Sequence, residues 1–388
     1  MPKDHAVLSA SGAHRWLMCT PSARLESTLP QKTSSYAEEG TVAHELAEAC
    51  ALFYTAQITD AEYNERVYAI KDSEYYSAEM LEYCDAYGKF VRDKLGALIE
   101  KTGDADALLE ARINFSDWVP DGFGTADCLI LAEGYMEVVD FKYGKGKRVD
   151  AYGNPQMRLY TLGAYQTYGL VYDVENVTMT IYQPRISNGI TSDEIKLEEL
   201  LEWAETFVKP RAALAIEGKG DFCPSEETCK FCRAKATCRA RAEENLKQFD
   251  EAPDRFLLTA EEAGKILEKA ADIEGWLSDL KAYVEGELFE GNQVPGWKLV
   301  EGKSIRRYAD ADKVLTKMLE AGAEEALLYK PRELVTLTQL EKDFGKKKVA
   351  EILGDLIVKP VGKPTLAPES DKRPAVTPTD QLLKKFDE

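Results

Sequence analysis

Apolar positions along this chain recur with two different periods. In four stretches β-favouring apolar residues alternate with polar ones or run continuously, which predicts strands at residues 107–115, 124–132, 135–142 and 177–182. Elsewhere they recur every three to four positions, which predicts helices at residues 40–53, 77–101, 154–160 and 197–216. A short helix is also expected from Leu8 through Trp16, with Ser9 or Ser11 as its N-cap. The order helix, three strands, helix, strand predicts an α/β fold.

The second and third strands are predicted to form a hairpin. Glu133 and Gly134 separate the two apolar runs, and a glycine supplies the positive φ of a tight turn. With these two residues as the loop, Ala132 pairs with Tyr135, and the register of the whole hairpin follows by counting outward.

Counting outward places Asp127 opposite Asp140, and Lys142 projects from the same face two residues beyond. Directly opposed residues have Cβ atoms about 5 Å apart, so the two carboxylates repel each other. Two acids and a lysine at one strand end predict a divalent-metal site with a cation beside it. The alternative for an isolated Asp-x-Lys is an exposed hairpin end with solvated charges.

Two helices carry further candidates for this site. His44 and Glu48 are four residues apart and share a face of the first long helix, whose expected N-cap is Thr41. Gln156 and Tyr160 share a face of the helix after the hairpin. Taken alone, such residues are more typical of a structural histidine, or of a surface amide beside a packing tyrosine.

Eight cysteines without a secretory signal favour metal or cluster ligation over disulfides. Four of them fall within sixteen residues and include one C-x2-C pair: Cys223, Cys229, Cys232 and Cys238. Such a density is typical of a zinc or iron–sulfur site. Cys50 and Cys84 fit core positions of helices, and Cys19 alone fits a buried small hydrophobe.

The net charge of −19 argues against a general nucleic-acid coat protein, but it is compatible with a nuclease that has a local basic path. Two basic patches are candidates for such a path, and each is equally compatible with a solvated face. They are Lys142, Lys145, Lys147 and Arg148, and Lys230, Arg233, Lys235, Arg239 and Arg241. No apolar run approaches the ~20 residues that span a bilayer, and we expect a cytoplasmic protein without a membrane partner.

The length of 388 residues fits two domains. We expect a first domain over residues 1–245, a mainly helical accessory domain over 246–358, and a Pro-rich disordered tail over 359–388. In the accessory domain, Thr259 and Glu262 predict a capping box for a helix with an inward apolar face. The inward residues are expected to be Ile266, Leu267, Ile273, Trp276, Leu277, Leu280 and Val284. Strands are expected at residues 296–300 and 304–308.

The candidate residues resemble the RecB-type branch of the PD-(D/E)XK nucleases. The run Gly40-Thr41…His44…Glu48 resembles the first motif of that branch, Asp127 the second, Asp140-Phe141-Lys142 the third, and Gln156-x3-Tyr160 the trailing motif. The resemblance implies a restriction-endonuclease-like core, a mixed sheet flanked by helices. The chain departs from the pattern in having no proline before Asp127.

The cysteines resemble those of the iron–sulfur subset, which includes AddB-type subunits and CRISPR-associated RecB-like exonucleases. The resemblance rests on Leu8-Ser9-x-Ser11…Trp16…Cys19-Thr20-Pro21 followed by C-x2-C-x5-C. It implies a [4Fe-4S] cluster held by Cys19, Cys229, Cys232 and Cys238. Cys223 is additional to that set, and structural zinc at Cys223, Cys229, Cys232 and Cys238 is the alternative. The whole chain also resembles a phage and prophage family labelled as a domain of unknown function.

These resemblances imply a Mg²⁺- or Mn²⁺-dependent DNA exonuclease of phage-type recombination or DNA processing, with a single-strand annealing protein as a further partner. The implied metal ligands are His44, Asp127, Asp140 and the Phe141 carbonyl. Lys142 would orient or deprotonate the attacking water, Glu48 would orient His44, and Gln156 and Tyr160 would contact DNA or support the site. Two other classes stay open: an inactive nuclease-fold DNA-binding or scaffold protein, and a zinc-stapled regulatory protein.

Overall fold

The structure is a computed structural model that describes residues 6–30, 35–250, 259–300, 311–321, 336–353 and 356–357. The chain divides into two compact units, Met1–Gln293 and Val294–Glu388. The first unit holds a sheet with helices on both faces, and the regular elements described in the second unit are helices. Among the described residues, no helix is long and apolar enough to cross a membrane.

The described part of the first unit contains one five-stranded mixed sheet, in the order β1-β2-β3-β4-β5. Its strands are β1 (Asp106–Asn114), β2 (Phe123–Ala132), β3 (Tyr135–Phe141), β4 (Asn176–Tyr182) and β5 (Ile190–Lys196). Strands β3 and β4 are parallel, and the other neighbouring pairs are antiparallel. The four predicted strands are confirmed. Strand β5 was not predicted, because its mostly polar sequence lies at the sheet edge.

The hairpin has the predicted register, since Ala132 pairs with Tyr135 and Leu129 with Val138. Gly134 adopts a φ of 73° in the turn, a region that L-residues rarely occupy. The ladder ends at Cys128 and Val139, one pair short of the two aspartates. Beyond that pair, the Phe141 backbone N–H donates instead to Asp127 Oδ2 over 2.7 Å.

Helices cover both faces of the sheet. Leu129 and Leu131 belong to a core with the helix that follows the hairpin, α6 (Pro155–Tyr172). Cys128 and Ile130 belong to a second core with two long helices, α3 (Ser35–Tyr54) and α5 (Ala78–Thr102). This alternation along β2 is what a strand buried on both faces requires.

Two of the helix starts follow from the sequence. Ser77 caps α5 by accepting from the Met80 N–H, and Asn154 caps α6 ahead of Pro155. The N-cap expected at Thr41 is wrong, because α3 begins at Ser35 and the Thr41 hydroxyl donates to the Ala37 carbonyl within the helix.

The remaining helices of the first unit are short, apart from one. The chain opens with a 3₁₀ turn (Ala10–Gly12), α1 (Ala13–Trp16) and α2 (Pro21–Ser27), and Ser9 is the N-cap. Helix α4 (Asp60–Lys71) lies between α3 and α5. The predicted helix after β5 is α7 (Leu197–Trp203), a π turn (Ala204–Val208) and α8 (Lys209–Glu217). Then follow α9 (Glu226–Cys229), α10 (Arg239–Asp250) and α11 (Ala260–Phe289).

Helix α11 begins with the predicted capping box of Thr259 and Glu262. Its expected inward face is only partly buried. Trp276 is buried, but Ile266, Leu267 and Leu277 are exposed, so the prediction is wrong for these three.

The second unit contains three described helices, α12 (Ala311–Glu320), α13 (Leu337–Phe344) and α14 (Lys346–Leu353). Residues 296–300 form a turn and irregular chain in place of the expected strand. The strand expected at 304–308 and the tail from residue 359 lie outside the described residues.

Candidate functional site

The ends of β2 and β3 bring the predicted charged residues together. Lys142 Nζ lies 3.0 Å from Asp140 Oδ2, and the side chain of Asp140 is only 3% exposed. Asp127 lies on the neighbouring strand, 14% exposed, with Oδ2 held by the backbone of the strand that carries Asp140. The open end of the hairpin, opposite its turn, therefore carries a partly enclosed cluster of charges. The alternative of an exposed hairpin end with solvated charges does not describe it.

His44 reaches this cluster from α3. Its Nδ1 lies 3.3 Å from Asp127 Oδ1, and its ring packs edge-on against Phe141 with the centroids 5.6 Å apart. Asp127 therefore contacts α3 through one carboxylate oxygen and β3 through the other. These two contacts restrict the orientation of the carboxylate between α3 and β3.

The structure adds a residue that the sequence interpretation missed. Within the described residues, one set of three His, Cys, Asp or Glu side chains has ligand atoms all within 4.8 Å of one another: His44, Glu110 and Asp127. Asp140 lies outside this set, beside Lys142. Glu110 lies on β1, which was predicted as a strand without a candidate site residue.

Glu110 lies at an irregular point of the sheet. The β1–β2 ladder pairs Leu109 with Cys128 and Ala111 with Ala126, but omits Glu110 and Asp127 between them. Glu110 has a φ of 48°, and the side chains change faces there: Leu109 and Cys128 pack towards α3 and α5, whereas Ala111 and Ala126 belong to the α6 core. A period-two pattern cannot reveal such a switch, so the sequence signal was only an acid within an apolar strand.

The carboxylates of the cluster lie close together, with Lys142 beside Asp140 and His44 beside Asp127. Burial raises the pKa of Asp140, and the Asp127 charge adds to the shift while Lys142 opposes it. Glu110 is exposed, but desolvation by its neighbours and the charge of Asp127 raise its pKa to about 7. Burial alone would lower the pKa of His44, but the adjacent Asp127 carboxylate outweighs it and the pKa is raised. A cation would relieve these repulsions.

The ammonium group of Lys142 is held in its charged form by the neighbouring aspartates. Burial would lower the pKa of its ammonium, but Asp140 and Asp127 outweigh that effect and raise the pKa above its ordinary value. Its Nζ also donates to Gln156 Oε1 over 3.3 Å, and Gln156 Nε2 donates to Asp140 Oδ1 over 3.2 Å. Gln156 therefore bridges the lysine and the aspartate from the first turn of α6.

Tyr160 lies one helical turn after Gln156 and packs over β2. A Cβ on Gly124 would come within 2.9 Å of Tyr160 Cε1, so the close approach of ring and strand requires glycine there. Burial raises the pKa of Tyr160 to about 12, so the phenol stays protonated. It can act as a hydrogen-bond donor beside the cluster.

Glu48 takes a different position from its helical neighbour His44. Its Oε1 pairs with Arg66 Nη1 of α4 over 3.4 Å. A role in orienting His44 stays a prediction for Glu48, as does metal ligation for the carbonyl of Phe141.

One early cysteine and three late ones line a common pocket. They are Cys19, Cys229, Cys232 and Cys238, and Lys235 lies on the same wall. Cys223 does not line this pocket, although its backbone N–H lies against the Cys19 thiol. The four residues implied by the iron–sulfur resemblance therefore converge, whereas the alternative zinc set does not line a common pocket.

Among the described residues, the cysteine sulfurs are not grouped as they would be around a single tetrahedral ion. A tetrahedral zinc with Zn–S bonds of about 2.3 Å holds its sulfurs about 3.8 Å apart. In the described part of the chain, no three cysteine sulfurs lie within 4.8 Å of one another. Burial raises the pKa of Cys19, Cys229 and Cys232, that of Cys232 to about 12. These thiols are therefore protonated at neutral pH, and a metal would have to displace the protons in order to bind.

A buried carboxylate ties the N-terminal segment to the late cysteines. Glu26 of α2 accepts from Arg15 Nε over 2.7 Å and from the backbone N–H of Arg233 over 2.7 Å. The Thr20 hydroxyl donates to the Lys219 carbonyl over 2.6 Å. These bonds bring Cys19 to the C-x2-C-x5-C segment more than 200 residues later.

The two basic patches differ in the structure. Lys145, Lys147 and Arg148 are exposed after β3. In the second patch, Arg241 is buried and pairs with Asp272 and Asp279 of α11. Arg241 therefore belongs neither to an exposed basic path nor to a solvated face.

The fold and site define a mixed α/β protein with a histidine–carboxylate–lysine cluster at a hairpin end and a four-cysteine pocket. The chain belongs to the family described as Protein of unknown function (DUF2800), whose model matches residues 5–374.

Three solved structures are similar to parts of the chain. SSO0001 shares 16% identity over 57% of this chain and 95% of that chain, with a TM-score of 0.23. An alkaline exonuclease (LHK-Exo) from Laribacter hongkongensis shares 15% over 45% and 87%, with a TM-score of 0.22. LHK-Exo in complex with dAMP shares 15% over 45% and 91%, with a TM-score of 0.21. Likeness at this level carries no argument about what this chain does.

Proposed function

We propose that this protein is a metal-dependent deoxyribonuclease of the RecB-like PD-(D/E)XK type. The observation that carries the proposal is the convergence of His44, Asp127, Asp140 and Lys142 at one hairpin end, with Gln156 bridging the last two. Carboxylate oxygens are ligands that suit Mn²⁺ or Mg²⁺, and the imidazole nitrogen of His44 adds a further ligand. A neighbouring ammonium group can stabilise the negative charge of a phosphate. Such a set matches hydrolysis of phosphodiester bonds.

The donor set fits a divalent cation, because a bound cation would offset both the desolvation and the neighbouring charge of Asp127 that raise the pKa of Asp140 and Glu110. His44, Asp127 and Asp140 would hold it, with the Phe141 carbonyl as the ligand implied by resemblance. A bound metal supplies a water of lowered pKa and neutralises charge on the phosphate. His44 has to lose its proton to bind, so the ligation competes with the His44–Asp127 pair.

Lys142 has the role of a positively charged donor in this proposal. Its raised pKa keeps the ammonium protonated, which favours orienting the water and stabilising charge on the transferring phosphate over accepting a proton. Gln156 holds the lysine at Asp140, and Tyr160 supports the same edge from the next turn of α6. Glu48 would bind the metal through a water molecule or help to orient His44, its neighbour on α3.

The cysteine pocket fits a [4Fe-4S] cluster. Its four lining cysteines are Cys19, Cys229, Cys232 and Cys238, the same four that the iron–sulfur resemblance implies as ligands. A cluster there would link the N-terminal segment to the end of the nuclease domain, so its role would be structural. Structural zinc with Cys223 remains the alternative cofactor.

We propose DNA as the substrate, with exonuclease action in recombination or DNA processing and a single-strand annealing protein as partner. The exposed lysines Lys145 and Lys147 after β3 are the best candidates for contacts with the DNA backbone. The competing function is an inactive nuclease-fold scaffold, and the complete set of His44, the two aspartates and Lys142 favours the enzyme.

The test is cleavage of end-labelled linear DNA and closed-circular DNA by anaerobically purified protein with Mg²⁺, Mn²⁺ or chelator. Metal-dependent shortening of linear DNA by wild type, and none by Asp140→Ala, is the expected result for an exonuclease. Cleavage of circular DNA would establish an endonuclease. Absence of cleavage by wild type with an intact metal centre would favour the scaffold.

A further inference from the structure

Glu110 is the one carboxylate of the described site that the nuclease motifs do not include. Its ligand oxygen and those of His44 and Asp127 all lie within 4.8 Å of one another, whereas Asp140 lies outside this set. Asp140 Oδ2 is instead 3.0 Å from Lys142, and its Oδ1 accepts from Gln156. The preformed grouping of donors is therefore centred on Asp127 and includes β1.

The backbone of β1 is arranged so that Glu110 reaches the site. Glu110 and Asp127 face each other, but both drop out of the β1–β2 ladder, and the flanking residues Leu109 and Ala111 pack on opposite sides of the sheet. The change of face occurs at Glu110, whose φ is 48°. A regular strand would carry the side chain at position 110 elsewhere.

The two oxygens of Asp127 have different surroundings. Oδ1 faces His44, and Oδ2 accepts from the backbone N–H of Phe141, next to Asp140. Asp127 is thus in a position to share a cation with His44 and Glu110 through one oxygen while the other is held by β3.

We propose that Glu110 is a direct ligand of a divalent transition-metal ion, bound together with His44 and Asp127. One imidazole and two carboxylates favour Mn²⁺ over Mg²⁺, because Mg²⁺ prefers oxygen ligands and waters. This inference deepens the proposed nuclease function at the same site. It can also be tested without a cleavage assay, since it concerns the binding of a cation by the protein in the absence of DNA.

The test is titration of the full-length protein with Mn²⁺, followed through the electron paramagnetic resonance signal of the free ion, in wild type and Glu110→Gln. Glu194→Gln is the matched control, because Glu194 is an exposed glutamate of β5 opposite Thr178, towards the other end of the sheet. We expect the Kd for Mn²⁺ to rise at least about tenfold in Glu110→Gln and to change less than about twofold in Glu194→Gln.

A Kd in Glu110→Gln within about twofold of wild type would overturn the inference, as would wild type that binds no Mn²⁺. Glu110→Gly provides a second variant, since glycine accepts the positive φ at this position while removing the carboxylate. It should lose Mn²⁺ affinity to the same extent, with circular dichroism verifying the fold.

Cleavage assays on the same proteins separate this inference from the proposed function. Binding of Mn²⁺ that depends on Glu110, without DNA cleavage by wild type, would support the ligand and refute the nuclease. Cleavage by wild type combined with unchanged Mn²⁺ affinity in Glu110→Gln would support the nuclease and refute the ligand.

Discussion

Replacing Arg241 with methionine is expected to loosen helix α11 from the cysteine-bearing segment. Arg241 is 4% exposed, and its two Nη atoms lie 2.9 Å from Asp272 and 2.9 Å from Asp279, both on α11. Lys235, on the wall of the cysteine pocket, pairs with the same Asp279 over 2.8 Å. The variant keeps most of the buried volume of the side chain but leaves the two aspartates without their arginine.

The magnitude follows from the burial of this group of charges. Removing one partner of a fully buried ion pair costs about 3–5 kcal/mol. Asp272 and Asp279 are each 19% exposed, and Lys235 still pairs with Asp279 in the variant. We therefore expect a loss of stability at the lower limit of this range, about 3 kcal/mol. Since about 1.4 kcal/mol corresponds to a factor of ten, opening of α11 should become about 100-fold more frequent.

Amide hydrogen exchange of α11 measures this opening directly. Arg241→Met should lower the protection factors of α11 about 100-fold, with little change in β2 and β3. Lys265→Met is the control on the same helix, because its pair with Glu261 is 69% and 78% exposed and should matter little. Equal protection of α11 in both variants would refute the role given to the buried pair.

Further predictions concern the two candidate metal centres. Cys19→Ala should abolish bound iron and sulfide while Cys223→Ala keeps both; zinc lost from Cys223→Ala and retained by Cys19→Ala would favour the alternative site. Gln156→Ala should lower kcat about tenfold at unchanged Mn²⁺ affinity, because Lys142 and Asp140 lose the side chain that holds both in position. An unchanged kcat would contradict this. Because the pKa of Glu110 is raised in the folded state, its protonated form favours folding. This contribution to the free energy of unfolding is present below about pH 4.5 and is lost as the pH rises through about 7. Metal-free Glu110→Gln should therefore be more stable than wild type by about 1 kcal/mol at about pH 8, after allowance for solvent screening. The difference should disappear near pH 4.5, and a constant difference in melting temperature would contradict the assignment.

Local rules explain why much of the fold was predictable. The two-residue turn with Gly134 fixes the hairpin register, and that register brings the ends of β2 and β3 together. Ser77 and Asn154 mark the starts of α5 and α6 through side-chain caps. The charged cluster followed from counting along these elements.

The errors arise where tertiary structure overrides local pattern. Strand β5 is mostly polar and largely exposed, so it lacks the apolar alternation that marks a strand in the sequence, and only its pairing with β4 identifies it. Thr41 has the chemistry of an N-cap, but the preceding residues from Ser35 continue the helix. Glu110 was missed because a change of face within β1 has no signature in period-two alternation.

The proximity of Cys19 to the late cysteines followed from resemblance alone. Spacing suggests a site within the segment from Cys223 to Cys238, whereas the pocket combines Cys19 with three of those residues. The contacts that bring the segments together include the buried carboxylate of Glu26, a long-range interaction that the local pattern cannot reveal.

The most direct test of the central claim compares DNA cleavage and Mn²⁺ binding in wild type and Lys142→Met. Lys142 has its Nζ between Asp140 and Gln156, and it is not a proposed metal ligand. We predict that Lys142→Met binds Mn²⁺ at least as tightly as wild type, since a competing positive charge is removed, and that cleavage falls by at least about 100-fold. A Lys142→Met protein that binds Mn²⁺ and degrades linear DNA at the wild-type rate would contradict the assignment of the hairpin end as the active site.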